Sequence, residues 1–235
     1  MYKNKKIISV IPARGGSKRI PNKNIKLLAG KPLIVYSIEK SLSSKYIDRT
    51  IVSTDNKEIA KTAKEYGAEV IMRPRELAKD TSATESAMIH VVKELEKEGY
   101  RPDYVILLQP TSPLRKTDII DEGVKLALKS NVDSVLSVCE IQHYYLSGHF
   151  EGEDYKLEYT KRPFSHEMPK KYRENGALFI TKKDFLIKNK NRIGGKIKAV
   201  VMNEVDSIDI DEMSDFKLVE KIVKGEYYEK NKNRK

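Results

Sequence analysis

Ile7-Ile8-Ser9-Val10-Ile11-Pro12-Ala13-Arg14-Gly15-Gly16-Ser17-Lys18-Arg19-Ile20-Pro21-Asn22-Lys23-Asn24 is the stretch on which the reading of this chain turns. Ile7 to Ile11 is dominated by β-branched residues, the composition of a strand buried within a parallel sheet. Pro12 ends that run and opens a loop with two adjacent glycines and the cations Arg14, Lys18, Arg19 and Lys23. In open α/β sheets ligands bind beyond the carboxyl ends of the strands, which is where this loop falls. Gly15 and Gly16 allow backbone N–H groups to come close to an anion, and the cations supply charge suited to a polyphosphate. The pattern is neither G-x-G-x-x-G nor a P-loop. The bland alternative is a basic turn with no ligand.

Outward from that loop, strand and helix patterns alternate. Pro32 suits the first turn of a helix carrying Leu33, Tyr36, Ile38 and Leu42, with Gly30 marking the turn into it. Arg49 to Ser53 reads as a second strand, about Lys57 to Tyr66 as a helix closed by Gly67, and Glu69 to Met72 as a third strand. The segment from Arg73 to Ser82 has neither period and reads as a loop. Ser82 and Glu85 form a capping-box pattern ahead of a helix to about Glu98. Tyr104 to Leu108 is the most apolar strand and is expected at the centre of the sheet. It runs into Gln109-Pro110-Thr111-Ser112-Pro113-Leu114-Arg115, whose prolines place it outside the sheet. A helix over about Thr117 to Lys129 and strands over Asp133 to Cys139, Arg173 to Ile180 and Lys196 to Met202 complete the pattern, before a last helix over Met213 to Val223. The expected fold class is α/β, a doubly wound and mostly parallel sheet.

Between about 140 and 173 the alternation fails, and tyrosines, histidines and charges mix without a period. A functional loop, a lid or a subunit interface all fit. The histidines lack zinc-like spacing. In Asp206-Ser207-Ile208-Asp209-Ile210-Asp211 the carboxylates alternate, so an extended backbone would turn Asp209 and Asp211 to one side. Two carboxylates without nitrogen or sulfur partners suit a hard cation such as magnesium. A solvent-facing edge strand, or a helix cap by Asp211, explains the same residues.

Composition sets the outer bounds. The 235 residues, 39% hydrophobic, fit one α/β domain over 1–225, with the insertion at about 140–173 and a flexible basic tail over 226–235. No apolar run approaches the ~20 residues of a membrane span. The basic amino terminus is followed by too short an apolar run for a signal peptide, which points to the cytoplasm. The single cysteine, Cys139, excludes an internal disulfide or a cysteine-based zinc site. A net charge of +11 suits an anionic partner. A nucleic-acid-binding module is the rival from another class, but the lysines are spread along amphipathic helices and no aromatic stacking motif accompanies them.

Five ordered blocks resemble the acylneuraminate cytidylyltransferases: Ile11-Pro12-Ala13-Arg14-Gly15-Gly16-Ser17-Lys18 with Lys23-Asn24, the Arg73-Pro74-Arg75-Glu76-Leu77-Ala78 loop, Gln109 to Arg115, Arg173-Glu174-Asn175-Gly176-Ala177, and Asp206 to Asp211. The resemblance implies a Rossmann-like nucleotidyltransferase that moves CMP from CTP to a sialic-type acid sugar. It further implies Mg²⁺ as cofactor and a homodimer in which the insertion reaches the partner's active site. It assigns Arg14 and Lys23 to the triphosphate, with Gly15, Ser17 and Lys18 shaping the loop. Asn24, Arg73, Thr81 and Thr84 fall to the cytidine, Gln109, Arg173 and Asn175 to the acceptor sugar, and Asp209 and Asp211 to the metal. The chain departs from the family in the insertion, where Ser165 and Ser147 stand at positions expected to be basic. Arg162 is the nearest replacement for binding the acid's carboxylate, with Lys161 beside it. A nonulosonic acid other than N-acetylneuraminate, such as a legionaminate-like sugar, is therefore expected. The alternative within the class is another keto-acid sugar, 3-deoxy-manno-octulosonate for instance.

Overall fold

The computed structural model describes residues 4–141, 147–162, 164 and 169–226. Of the residues weighed above, Ser165 and all but Glu226 of the basic tail lie outside them. The strands are β1 (Ile7–Pro12), β2 (Leu27–Leu28), β3 (Lys31–Pro32), β4 (Arg49–Thr54), β5 (Glu69–Met72), β6 (Tyr104–Leu107), β7 (Ser134–Ile141), β8 (Gly148–Glu151), β9 (Asp154–Leu157), β10 (Lys171–Lys182) and β11 (Ile197–Met202). The helices are α1 (Leu33–Leu42), α2 (Lys57–Glu65), α3 (Thr84–Lys97), α4 (Thr117–Ser130), α5 (Lys183–Asn189) and α6 (Met213–Val223).

Seven strands form one sheet in the order β11-β7-β10-β6-β1-β4-β5, with β6 in the middle as its apolarity requires. All the pairings are parallel except those of β10, which runs antiparallel to both β6 and β7. Side chains alternate across β1. Ile7 and Ile11 pack with Ile34 and Ile38 of α1 and Val124 of α4 on one face. Ile8 and Val10 pack with Met88, Val91 and Leu95 of α3 on the other. Two covered faces explain why the strands read as continuous apolar runs. A third cluster joins Ile20 of the glycine loop to Ile210 and to Phe216 and Val219 of α6. It fixes the amino-terminal loop against a segment nearly two hundred residues away in sequence.

Three local expectations are corrected. The Ser82–Glu85 capping box does not form, because α3 begins only at Thr84 with Ala83 at its N-cap. The Ser82 hydroxyl instead donates to Glu76 O at 3.1 Å, and Glu85 pairs with Arg192 at 2.5 Å. Helix α6 is capped by Glu212, not Asp211, in a reciprocal pair with Asp215. The apolar run after Arg173 is part of a longer antiparallel strand, interrupted between Glu174 and Phe179 by an irregularity at which Gly176 adopts φ +74°. Glycine takes that conformation without strain. Inside the insertion, β8 and β9 pair as a hairpin.

Candidate active site

The loops after β1, β5 and β6 and the segment before α6 converge at the carboxyl edge of the parallel strands. They enclose a cleft of about 550 Å³. Six cations line it, Arg14, Lys18, Arg19, Lys23, Arg73 and Lys79, against two carboxylates, Asp80 and Asp211. That excess of positive charge in a concave site selects an anionic ligand.

Each wall has a local cause. Asp55, just past β4, accepts the Gly15 N–H at 3.0 Å, so this glycine's donor is turned away from the cleft. A Cβ on Gly15 would lie 2.8 Å from Asn56 Nδ2, and Asn56 caps α2. Close approach is therefore the reason for glycine here. Asn24 is buried and its amide donates to Arg14 O at 3.0 Å, bracing the loop from within. Arg73 is also buried, its guanidinium donating to Ser53 O at 2.7 Å and Ser53 Oγ at 3.2 Å. Burial lowers its pKa, with Asp55 opposing. Ser17 and Thr84 reach the lining, whereas Thr81 does not.

At the opposite wall, Ile210 is buried and its N–H donates to Thr111 O at 2.8 Å. This anchors the residue between Asp209 and Asp211 and leaves the two carboxylates on either side of it. The segment is not part of a sheet. Asp209 accepts Ser112 Oγ at 3.2 Å, and Asp211 meets Arg19 at 3.0 Å. Lys23 Nζ donates to Ile210 O at 2.7 Å. Desolvation lowers the Lys23 pKa, while Asp209 and then Asp211 pull it back up, so both carboxylates bear on one ammonium. Among the described residues no group of three or more His, Cys, Asp or Glu could hold a metal. Two carboxylates without nitrogen or sulfur ligands suit magnesium, which typically takes one or two such groups together with substrate phosphates. The donor set fits.

Gln109 faces the cleft, its amide donating to Gly176 O at 3.1 Å. Asn175 is turned inward: it donates to Ser207 Oγ at 2.9 Å and accepts from Ser137 Oγ at 2.5 Å. It binds the strand to the segment that carries Asp209. Arg173 and Arg162 are exposed and stand apart from the cleft lining, and Ser147 is tied to Glu158 at 2.6 Å.

Sequence reasoning passed over Asp80 and Arg115. Arg115 is fully buried and donates to Ala177 O at 2.6 Å, Ser37 Oγ at 2.8 Å and Gln109 O at 3.4 Å, while its Nε has no partner. Burial depresses its pKa, and Asp209 is the carboxylate that opposes the fall. Its position at the end of the Gln109 block, next to two prolines, was the available signal.

A family profile described as cytidylyltransferase matches residues 8–233. A CMP-N,N'-diacetyllegionaminic acid synthase of Legionella pneumophila is 38% identical over 93% of this chain and 96% of its own length. An N-acylneuraminate cytidylyltransferase of Escherichia coli is 34% identical over 91% of this chain, which spans only 51% of that relative. A pseudaminic acid cytidylyltransferase of Campylobacter jejuni is 31% identical over 74% of this chain and 78% of its own length. Among solved structures, a CMP:2-keto-3-deoxy-manno-octonic acid synthetase in complex with CTP superposes with a TM-score of 0.74 at 17% identity, covering 94% of this chain and all of that one. At that identity the likeness speaks for the fold. The seven-stranded sheet, the cleft at its carboxyl edge and the matched relatives agree: the chain is a nucleotidyltransferase and belongs to the cytidylyltransferase family.

Proposed function

We propose that the protein transfers the cytidylyl group of CTP to the anomeric hydroxyl of a nine-carbon acidic keto sugar and releases pyrophosphate. The observation that carries this reading is the convergence of six cations on one cleft, in a chain that aligns over 93% of its length with a CMP-N,N'-diacetyllegionaminic acid synthase. The sugar oxygen attacks the α-phosphorus as the bond to the β-phosphate oxygen breaks. Negative charge grows on the phosphoryl oxygens and on the leaving group, so positioning and positive charge are the main requirements. Arg14 and Lys23 hold the triphosphate, and Ser17 and Lys18 shape the loop that Gly15 lets close. Asn24, Arg73 and Thr84 serve the cytidine end. Gln109 faces the acceptor, with Arg173 and Asn175 on its flank. Asp209 and Asp211 would hold Mg²⁺, which when bound neutralises phosphate charge and lowers the pKa of the attacking hydroxyl.

The preferred acid is legionaminate-like, and Arg162, which stands apart from the cleft of its own subunit, receives the carboxylate in the second subunit's site of a homodimer. Two observations support this: the Legionella relative, and the serine at position 147, whose hydroxyl is engaged by Glu158. The insertion exposes Phe150, Tyr155, Leu157 and Phe164, which a second copy of the chain would cover in a homodimer. A reaction that consumes CTP belongs in the cytoplasm, and no helix among the described residues is long and apolar enough to cross a membrane. Pyrophosphate release with CTP against a panel of nonulosonic acids and 3-deoxy-manno-octulosonate tests the whole reading. Release with none of the nonulosonic acids would overturn it.

A further inference from the structure

Asp80 is the one acidic side chain that the loop after β5 sends into the cleft. Its carboxylate bridges Arg14 and Lys18, pairing with both. These two pairs are the loop's polar link across the cleft. The other hydrogen bonds of residues 75–82 among the described residues stay within the segment from 73 to 82, such as Arg73 to Leu77 O at 3.3 Å and Lys79 N to Ser82 Oγ at 3.1 Å. Hydrogen bonds from Lys18 and then Arg14 hold the Asp80 pKa down, so the carboxylate is ionised at neutral pH.

We propose that Asp80 is a specificity-determining residue, an internal anion that occupies the phosphate-binding cations and that only a ligand with several phosphate charges displaces. The inference rests on the reading of Arg14 and Lys18 as part of the triphosphate site. One guanidinium and one ammonium cannot serve a carboxylate and a polyphosphate together, so the fraction of protein with Asp80 released scales the apparent affinity. CTP and pyrophosphate extend along the loop and compete with Asp80. A nucleoside monophosphate carries its single phosphate at the cytidine end and does not. Asp80 therefore weakens retention of the pyrophosphate product while leaving the cytidine contacts untouched. All three side chains are solvent-accessible, with exposures of 35% for Arg14, 80% for Lys18 and 41% for Asp80. Exposed pairs are individually modest, so the competition is worth about three- to tenfold in affinity.

Calorimetric titration of wild type, Asp80→Asn and Arg14→Ala with CTP, inorganic pyrophosphate and CMP, in magnesium chloride buffer, tests this. Asp80→Asn should bind CTP and pyrophosphate about three- to tenfold more tightly, and CMP within about twofold of wild type. Product inhibition by pyrophosphate in turnover assays should strengthen by the same factor. Unchanged or weaker CTP binding in Asp80→Asn, with weakened binding in Arg14→Ala, overturns the role of Asp80 and leaves the triphosphate site standing. Equal tightening for CMP also overturns it. Unaltered CTP binding in Arg14→Ala removes the triphosphate reading itself, and the inference with it.

Discussion

The two ends of the cleft are built in opposite ways. At the end proposed for the nucleotide the supporting residues are interior: Ala13, Ile20, Asn24 and Arg73 are all buried, and the loop is held by α6 from below and by Asn24 from within. Toward the end proposed for the acceptor, Gln109 is anchored to Gly176, but beyond it the chain offers the exposed start of β10, residues 171–174, and a hairpin whose Phe150 is 72% exposed. A site that must recognise the same nucleotide in every turnover can be locked into the core. A site that must accept one acid among similar ones is carried on surface segments, where substitution does not disturb packing.

This contrast can be broken by experiment. Magnesium chelation, or Asp209→Asn and Asp211→Asn tested separately across a magnesium titration, should lower turnover by about a hundredfold or more, on the order of 2.7 kcal/mol. Near-normal activity in both variants would detach the metal from this end of the cleft. Arg14→Ala should lower kcat and raise KM for CTP together, a loss of roughly 2–4 kcal/mol of transition-state stabilisation. A change in KM for the acid alone would erase the distinction between the two ends.

The next two sharpen it. Arg115→Met strands the carbonyl of Ala177 and removes the donor to Ser37 Oγ, while Gln109 O keeps the Ser37 hydroxyl. It should destabilise the fold by about 2–4 kcal/mol, and Tm in scanning calorimetry should fall accordingly. An unchanged Tm would show that the buried guanidinium is dispensable to the fold. The smallest effect belongs to Arg162→Ala, which should raise KM for the acid about tenfold with KM for CTP unchanged. Equal effects on both constants, or a clear preference of the wild type for N-acetylneuraminate over its 5,7-diamido relatives, would contradict the acceptor assignment.

The same contrast governs what could be read in advance. The covered strands announced themselves because burial on both faces demands unbroken apolar runs, and Tyr104–Leu107 took the central place that its composition implies. The glycine loop, Arg73 and Gln109 were legible as loop residues at carboxyl ends, and they share one cleft. The direction of β10 was not legible, because Ala177 to Ile180 is equally apolar in either orientation. The capping box failed because Ser82 had a competing use within its own loop. Asp80 was invisible because a lone acid among cations reads as surface until its neighbours are known. Arg115 reads as a surface residue by type, and only tertiary contacts bury it.

The antiparallel course of β10 has a consequence for how such an enzyme diversifies. Ile141 and Lys171 are direct partners in the β7–β10 ladder, so the chain leaves the sheet and re-enters it at adjoining positions. Everything between them closes on itself like a hairpin loop, and the entropic cost of lengthening a closed loop rises only slowly with its length. The segment from 142 to 170 is thus a natural splice site. It can be exchanged as a cassette for one of different size while the seven strands keep their register.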